Sequence, residues 1–152
     1  MIDTRALFHK ISYLQYPLFA VAVFYAFKPY IVGFDTVWAN LNNVLVFGGL
    51  GISLSTLQDT TTTQNEFSRR IWQSPTKGKI ALILIAAMAF LFVFIGFFGI
   101  YVSHSPILKE LSLGTIVVGI GVIGLLKAAI EMFENHRIDK NPVNEGDDPP
   151  SS

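Results

Sequence analysis

Residues 80–102, IALILIAAMAFLFVFIGFFGIYV, run for twenty-three positions without a charged side chain. About 20 apolar residues carry an α-helix across the hydrocarbon layer of a bilayer, so this stretch predicts a transmembrane helix. The whole chain agrees with that reading: 51% of its 152 residues are hydrophobic and 14% are charged, against about 25% charged in an average soluble domain. The apolar residues lie in blocks rather than at amphipathic spacing.

Three further blocks have the length of a span. Residues 17–34 open with Pro17, which suits a first helical turn where its missing N–H has no partner to lose, and they contain Lys28 and Pro29 as weak points. Residues 41–58, LNNVLVFGGLGISLSTLQ, are short and rich in small side chains, and residues 113–130, LGTIVVGIGVIGLLKAAI, form the last block. The expected fold class is all-α, an integral membrane four-helix bundle of two helical hairpins, with short interfacial helices and a disordered tail over 139–152. The stretch before Pro17 is too long and amphipathic for a simple basic leader, and no small-x-small cleavage site follows it. The first span is therefore expected to be retained.

Lys and Arg collect in cytoplasmic loops next to helix ends. With four spans, one side holds Arg5, Lys10, Arg69, Arg70, Lys77, Lys79, Lys127, Arg137 and Lys140, and the other only Lys28 and Lys109. Dropping the second span strands Arg137 and Lys140 outside. The charges thus predict a multi-pass protein with both termini cytoplasmic, and the bacterial inner (plasma) membrane is the expected location.

The polar island between the second and third spans has its own pattern. Thr63 and Glu66 have capping-box spacing, and the helix they open runs over 64–73 until Ser74-Pro75 stops it. At 100° per residue, Phe67, Ile71 and Trp72 share an arc and Arg69, Arg70 and Gln73 lie opposite with Glu66. This is the pattern of a helix lying in the headgroup layer. Phe67, Trp72, Arg69 and Arg70 are candidate contacts to lipid or a partner. Residues 1–16 show the same design, with Leu7, Phe8, Ile11 and Leu14 on one face. The tail after residue 138, rich in Pro, Gly and acid, cannot support a core.

Each half of the chain reads surface helix, aromatic span, glycine-rich return span. A shift of seventy residues sets Gly49 and Gly51 over Gly119 and Gly121, and Phe24 and Phe27 over Phe94 and Phe97, so a parallel duplication with a pseudo-twofold along the membrane normal is one expectation. Small residues let helices approach closely where lipid offers no hydrophobic drive between them. Spans two and four are therefore expected at the packed centre, and the phenylalanines of span three at the lipid.

Little in the sequence points to chemistry. No cysteine is present, so thiol catalysis and sulfur-ligated metals are excluded. His9, His104 and His136 stand apart without the ligand spacing of a metal site. No metal and no cofactor are expected, and the zero formal net charge gives no argument for nucleic acid. Ionisable and polar residues within spans are functional candidates by default: Lys28, Asn42 and Asn43 toward the outer side, and Lys127 with Glu131 one turn apart at the inner end. For Lys28 the competing reading is a stem that snorkels outward or toward Asp35; for Lys127 and Glu131 it is a local ion pair.

The functional expectation is a non-enzymatic subunit or adaptor in a membrane complex, meeting a membrane or cytoplasmic protein through its cytoplasmic face. The alternative is a homo-oligomeric ion channel or small transporter with spans two and four near the axis.

Overall fold

The computed structural model describes residue 8 and residues 10–57 and 66–140, excepting the side chains of residues 66–69. Half of the expected surface helix over 1–16, residues 1–7 and 9, falls outside the described residues. So do Thr63, the side chains of its capping partner Glu66 and of Phe67 and Arg69, and the tail beyond residue 140. The described chain is all-α, without a strand. Helix α1 covers Gln15–Val32, a 3-10 turn covers Phe34–Thr36, α2 covers Val37–Ser55, α3 Glu66–Gln73, α4 Pro75–Tyr101 and α5 Pro106–His136. Three segments, Phe34–Ser55, Pro75–Tyr101 and Pro106–His136, are long and apolar enough to cross a membrane, with 22, 27 and 31 residues. Helix α1 is not among them; its 18 residues include Gln15, Lys28 and Pro29.

Local chemistry sets the helix ends. Gly33 closes α1 with φ of 128°, a value that L side chains rarely adopt, and its N–H donates to the Pro29 carbonyl at 3.0 Å. The Thr36 hydroxyl donates to the Gly33 carbonyl at 2.9 Å, and the Asn40 amide donates to the Thr36 carbonyl at 2.8 Å and hydroxyl at 2.9 Å. The reversal is therefore complete within residues 33–36. The α4–α5 reversal is as tight: Val102 and Ser103 both donate to the Phe98 carbonyl at 2.9 Å, and Pro106 occupies the first turn of α5. Helix α4 starts at Pro75, five residues before the expected span, because extended Ser74 accepts from the Lys77 N–H at 3.4 Å and Pro75 suits the position that follows. Helix α5 outruns its expected span at both ends; at 1.5 Å per residue it is about 46 Å long, more than the hydrocarbon layer requires.

The four long helices form two hairpins, but they do not close into a square bundle. Helix α1 packs on α2, α2 on α5, and α5 on α4, while α1 and α4 make no extensive contact. The order is an open row, α1–α2–α5–α4, with the two glycine-rich helices inside. The outer helices leave large apolar side chains uncovered: Phe24, Phe27 and Ile31 on α1, and Phe90, Phe94 and Tyr101 on α4 are all exposed. A continuous apolar surface of that kind is tolerated in hydrocarbon and rarely in water.

Glycines set the spacing of the row. A Cβ added at Gly49 would lie 2.7 Å from the Val118 nitrogen and 2.8 Å from the Val117 carbonyl carbon, and one at Gly121 would lie 2.6 Å from the Gly49 carbonyl oxygen. Backbone thus meets backbone where α2 approaches α5. On its other side, α5 brings Gly119 against Val93 and packs Ser112 and Ile116 over Gly99 and Gly96 of α4. Ala89, Val118 and Val122 form the small buried core, with Leu45, Ile85 and Phe92 packed on it. Gly51 gives room instead to the Phe19 ring of α1.

These contacts change the register expected for an internal repeat. Under the seventy-residue shift, centre-facing Gly49 matches Gly119, which faces α4, and Gly51, which faces α1, matches centre-facing Gly121. The glycines that meet are Gly49 and Gly121, 72 positions apart, the same separation as the bonded pair Asn42 and Gly114.

Alanine at Gly49 or Gly121 is expected to destabilise the protein by about 1–3 kcal/mol, the usual range for overpacking, in reversible unfolding from mixed micelles. Gly48 has nothing within 4 Å of its added Cβ, and Gly48→Ala is expected to be neutral or to stabilise by about 0.5–1 kcal/mol through chain entropy.

Candidate functional site

The densest polar cluster lies at the end where α3 rests against both α4 and α5. It begins with an apolar contact. Phe133, near the end of α5, is buried, and its ring edge occupies the space that a side chain at Gly78 would need. Over the other part of that ring sits the Arg137 guanidinium, 4.9 Å from the ring centroid, with 14% of its side chain exposed. Arg137 donates to Glu134 at 3.1 Å and to both oxygens of Asp139, at 2.8 and 2.5 Å, while Lys140 closes on the second oxygen of Glu134. The Ile138 N–H then donates to the Gln73 carbonyl at 3.3 Å, joining the chain beyond α5 to the end of α3.

The electrostatics of this clasp are mutual. The Lys140 ammonium, with Arg137 second, holds the Glu134 carboxyl below the ordinary carboxylate range. Arg137 does the same for Asp139, with a smaller contribution from Lys79, and the two carboxylates keep the guanidinium charged, Asp139 first. Asp139 and Lys140, expected at the start of the tail, are tied into the helical body. The spacing of Glu134 and Arg137 was a visible signal for a helical i, i+3 pair; the return of Asp139 and Lys140 onto it depends on the turn after His136.

Among the residues singled out on α3, Arg70 is exposed and Trp72 is half-buried. Lys77 and Lys79, on the first turns of α4, are exposed on either side of buried Gly78. Arg70, Trp72, Lys77 and Lys79 thus lie on the two elements, α3 and the start of α4, that pack at the clasp's end of the molecule.

The remaining candidates stay apart. Lys28 is half-buried, and its ammonium lies 5.3 Å from the centroid of the Tyr25 ring, which stacks on Phe47 of α2 at 5.7 Å and 6°. Helical side chains lean toward the helix N-terminus. Lys28 accordingly turns toward mid-helix and a π-face rather than outward past Val32. Pro29 adds to this environment, since it has no N–H for the Tyr25 carbonyl.

Asn42 bonds across helices: its side-chain oxygen accepts from the Gly114 N–H at 2.8 Å. Gly114 permits the approach, because an added Cβ would lie 2.7 Å from that same oxygen. Asn43 is half-buried on the same helix. Lys127 and Glu131 form an i, i+4 pair at 3.5 Å, with side chains 81% and 48% exposed, the geometry of a surface pair of small net value. No group of three or more metal-ligating side chains occurs among the described residues, and none of their buried side-chain polar atoms lacks a hydrogen-bond partner.

No family model matches the chain, and no curated protein or solved structure is significantly similar to it.

Asn42→Leu is expected to cost about 0.6 kcal/mol, the mean for an interhelical hydrogen bond in a membrane protein, in the same micellar unfolding measurement. The clasp has a defined pH sign. Both carboxyl pKa values are depressed in the folded state, from ordinary values of 4.5 for Glu134 and 3.8 for Asp139. Its contribution is complete above those values and disappears as pH falls through the lower folded ones. Spin labels on Gln73→Cys and Ile138→Cys, the only cysteines in the chain, are expected to hold one distance at pH 7 and to separate only in strong acid. Arg137→Gln is expected to separate them already at pH 7.

Proposed function

We propose that this chain is a non-enzymatic, four-span membrane protein that serves as a subunit or adaptor, docking a membrane or cytoplasmic protein through the face built on α3. The observation that carries the reading is the tethering of α3. A short surface helix is held against both α4 and α5 and bonded through Gln73 to the chain after α5, and it leaves Arg70 exposed. A helix held in this way presents a fixed surface to a partner, which limits the ordering cost of association.

The fourth span rests on geometry. Helix α1 leads into α2 through a reversal of residues 33–36 and packs on it. If Phe34–Ser55 crosses the bilayer, an antiparallel apolar neighbour of 18 residues crosses beside it. Aromatic side chains mark both boundaries in this arrangement: Tyr13, Tyr16 and Trp72 at the α3 end, and Tyr30, Trp38 and Tyr101 at the tight-turn end. Such belts lie at headgroup level. The excess of Lys and Arg at the α3 end assigns that end to the cytoplasm by the same principle.

A channel with α2 and α5 about its axis is the weaker reading. Gly49, Gly114 and Gly121 face the partner helix within one chain, so these surfaces are already occupied and are not free to line an axis between copies.

Two measurements test the proposal. In intact cells, Ser68→Cys is expected to be protected from a membrane-impermeant thiol reagent and Ser105→Cys to be labelled; the reverse pattern overturns the orientation. In native membranes, crosslinking is expected to recover a second protein that the Arg69→Glu/Arg70→Glu variant loses. Recovery of self-oligomers alone, unaffected by that variant, overturns the adaptor reading.

A further inference from the structure

We infer that the α3 end of the molecule is a recognition surface for anionic phospholipid headgroups, with Arg70, Lys77 and Lys79 as its contacts and the Arg137 clasp as the device that keeps this surface positive. The inference goes beyond docking of a protein; it rests on the placement of α3 at a membrane surface in that reading, but not on which side of the membrane it lies.

Among the described residues at this end, the acidic side chains are Glu131, Glu134 and Asp139, since Glu66 has no described side chain. Each is engaged by a cation: Glu131 by Lys127, Glu134 by Arg137 and Lys140, Asp139 by Arg137. The acids are consumed by the cations of α5 and the segment after it. Arg70, Lys77 and Lys79 are exposed, and none of them forms an ion pair among the described residues. Among the described residues, what faces outward is a positive group with no acid paired to it.

Geometry makes this group local. Lys77 and Lys79 flank Gly78, and Gly78 is pinned beneath Phe133, whose ring also carries Arg137. The two lysines therefore sit in the first turns of α4, immediately before its long uncharged stretch, where the chain enters hydrocarbon. Arg70 lies one turn before the end of α3, on the arc opposite Trp72, whose ring suits the headgroup layer. A cation in that layer gains about 1 kcal/mol from an anionic leaflet, close to a fivefold change in affinity for each charge.

The clasp gives the proposal a consequence that simple charge counting at the three contacts does not. Arg137 touches no lipid in this scheme. Without it, Asp139 loses its bonded partner, and its free carboxylate lies close enough to Lys79 to have shared in its field. Neutralising Arg137 therefore weakens lipid recognition by exposing acid beside the contact lysines.

The test uses the full chain in zwitterionic micelles with Trp38→Phe, which leaves Trp72 as the sole tryptophan of the original two. Short-chain phosphatidylglycerol is titrated and Trp72 emission recorded, with short-chain phosphatidylcholine and inorganic phosphate at matched ionic strength as comparisons. Phosphatidylglycerol alone is expected to shift the emission saturably, and the shift to weaken with added salt. Lys77→Gln/Lys79→Gln is expected to lower the apparent affinity about 25-fold, taking the two charges as additive. Arg137→Gln is expected to lower it about fivefold or more, and Lys109→Gln, at the opposite end, to leave it unchanged. Helical content in phosphatidylcholine micelles verifies that each variant is folded. An equal response to phosphatidylcholine, an unchanged response in the lysine variant, or an unchanged or raised affinity in Arg137→Gln overturns the proposal. Loss of a crosslinked protein from the lysine variant, with its lipid response intact, assigns the surface to a protein partner and also overturns it. Because micelles have no sidedness, failure here leaves the topology measurement untouched, and a reversed topology leaves this one untouched.

Discussion

Everything in this structure depends on the contact between two backbones. Where α2 passes α5, the Gly49 carbonyl stands so close to Gly121 that a methyl group would not fit. In hydrocarbon, burial of apolar surface gives helices little reason to associate, so van der Waals contact and polar bonds must do so. The glycine approach maximises the first and admits the second: farther along the same interface, Gly114 lets Asn42 reach a main-chain N–H. This interface joins two hairpins that make no other extensive contact. Because α1 and α4 each have their main contact with a long helix on one side, loss of the central contact leaves two hairpins and no common core.

A row with so little interior must settle its polar groups locally. Ser53, Thr56, Ser112 and Thr115 each donate to a carbonyl three or four residues earlier, which satisfies the hydroxyl without a partner helix. Asn40 is spent on the turn at Thr36. Lys28 of α1 is the exception, since its cation rests on an aromatic face that is itself seated on α2. Cation–π attraction is worth most where water is scarce, which accounts for a lysine turned toward mid-helix instead of toward the nearer boundary.

The α3 end follows a different logic. There the chain has charge in excess, and the fold sorts it. Acids and cations carried by α5 and the segment after it satisfy one another over a buried phenylalanine, while Arg70, Lys77 and Lys79 are left outward. The sorting depends on Gly78, whose missing side chain leaves the space that the Phe133 ring fills. One missing side chain thereby links apolar packing to the electrostatic character of the whole face.

The sequence by itself determined what depends on composition and period: long apolar helices, a short amphipathic helix between them, small residues marking α2 and α5 as the inner pair, and the Lys127–Glu131 pair, all of which follow from residue type and the 3.6-residue turn. Even the shared hairpin order was legible. Only the tertiary structure decided which glycine meets which, because identical side chains at positions 49, 51, 119 and 121 carry no information about the helix they face. It also decided that the row stays open, that Lys28 turns inward to Tyr25, and that Asp139 and Lys140 fold back onto Glu134. Each of these depends on distances between residues remote in the chain or on the direction of a turn. Residue type restricts such distances, and packing alone fixes them.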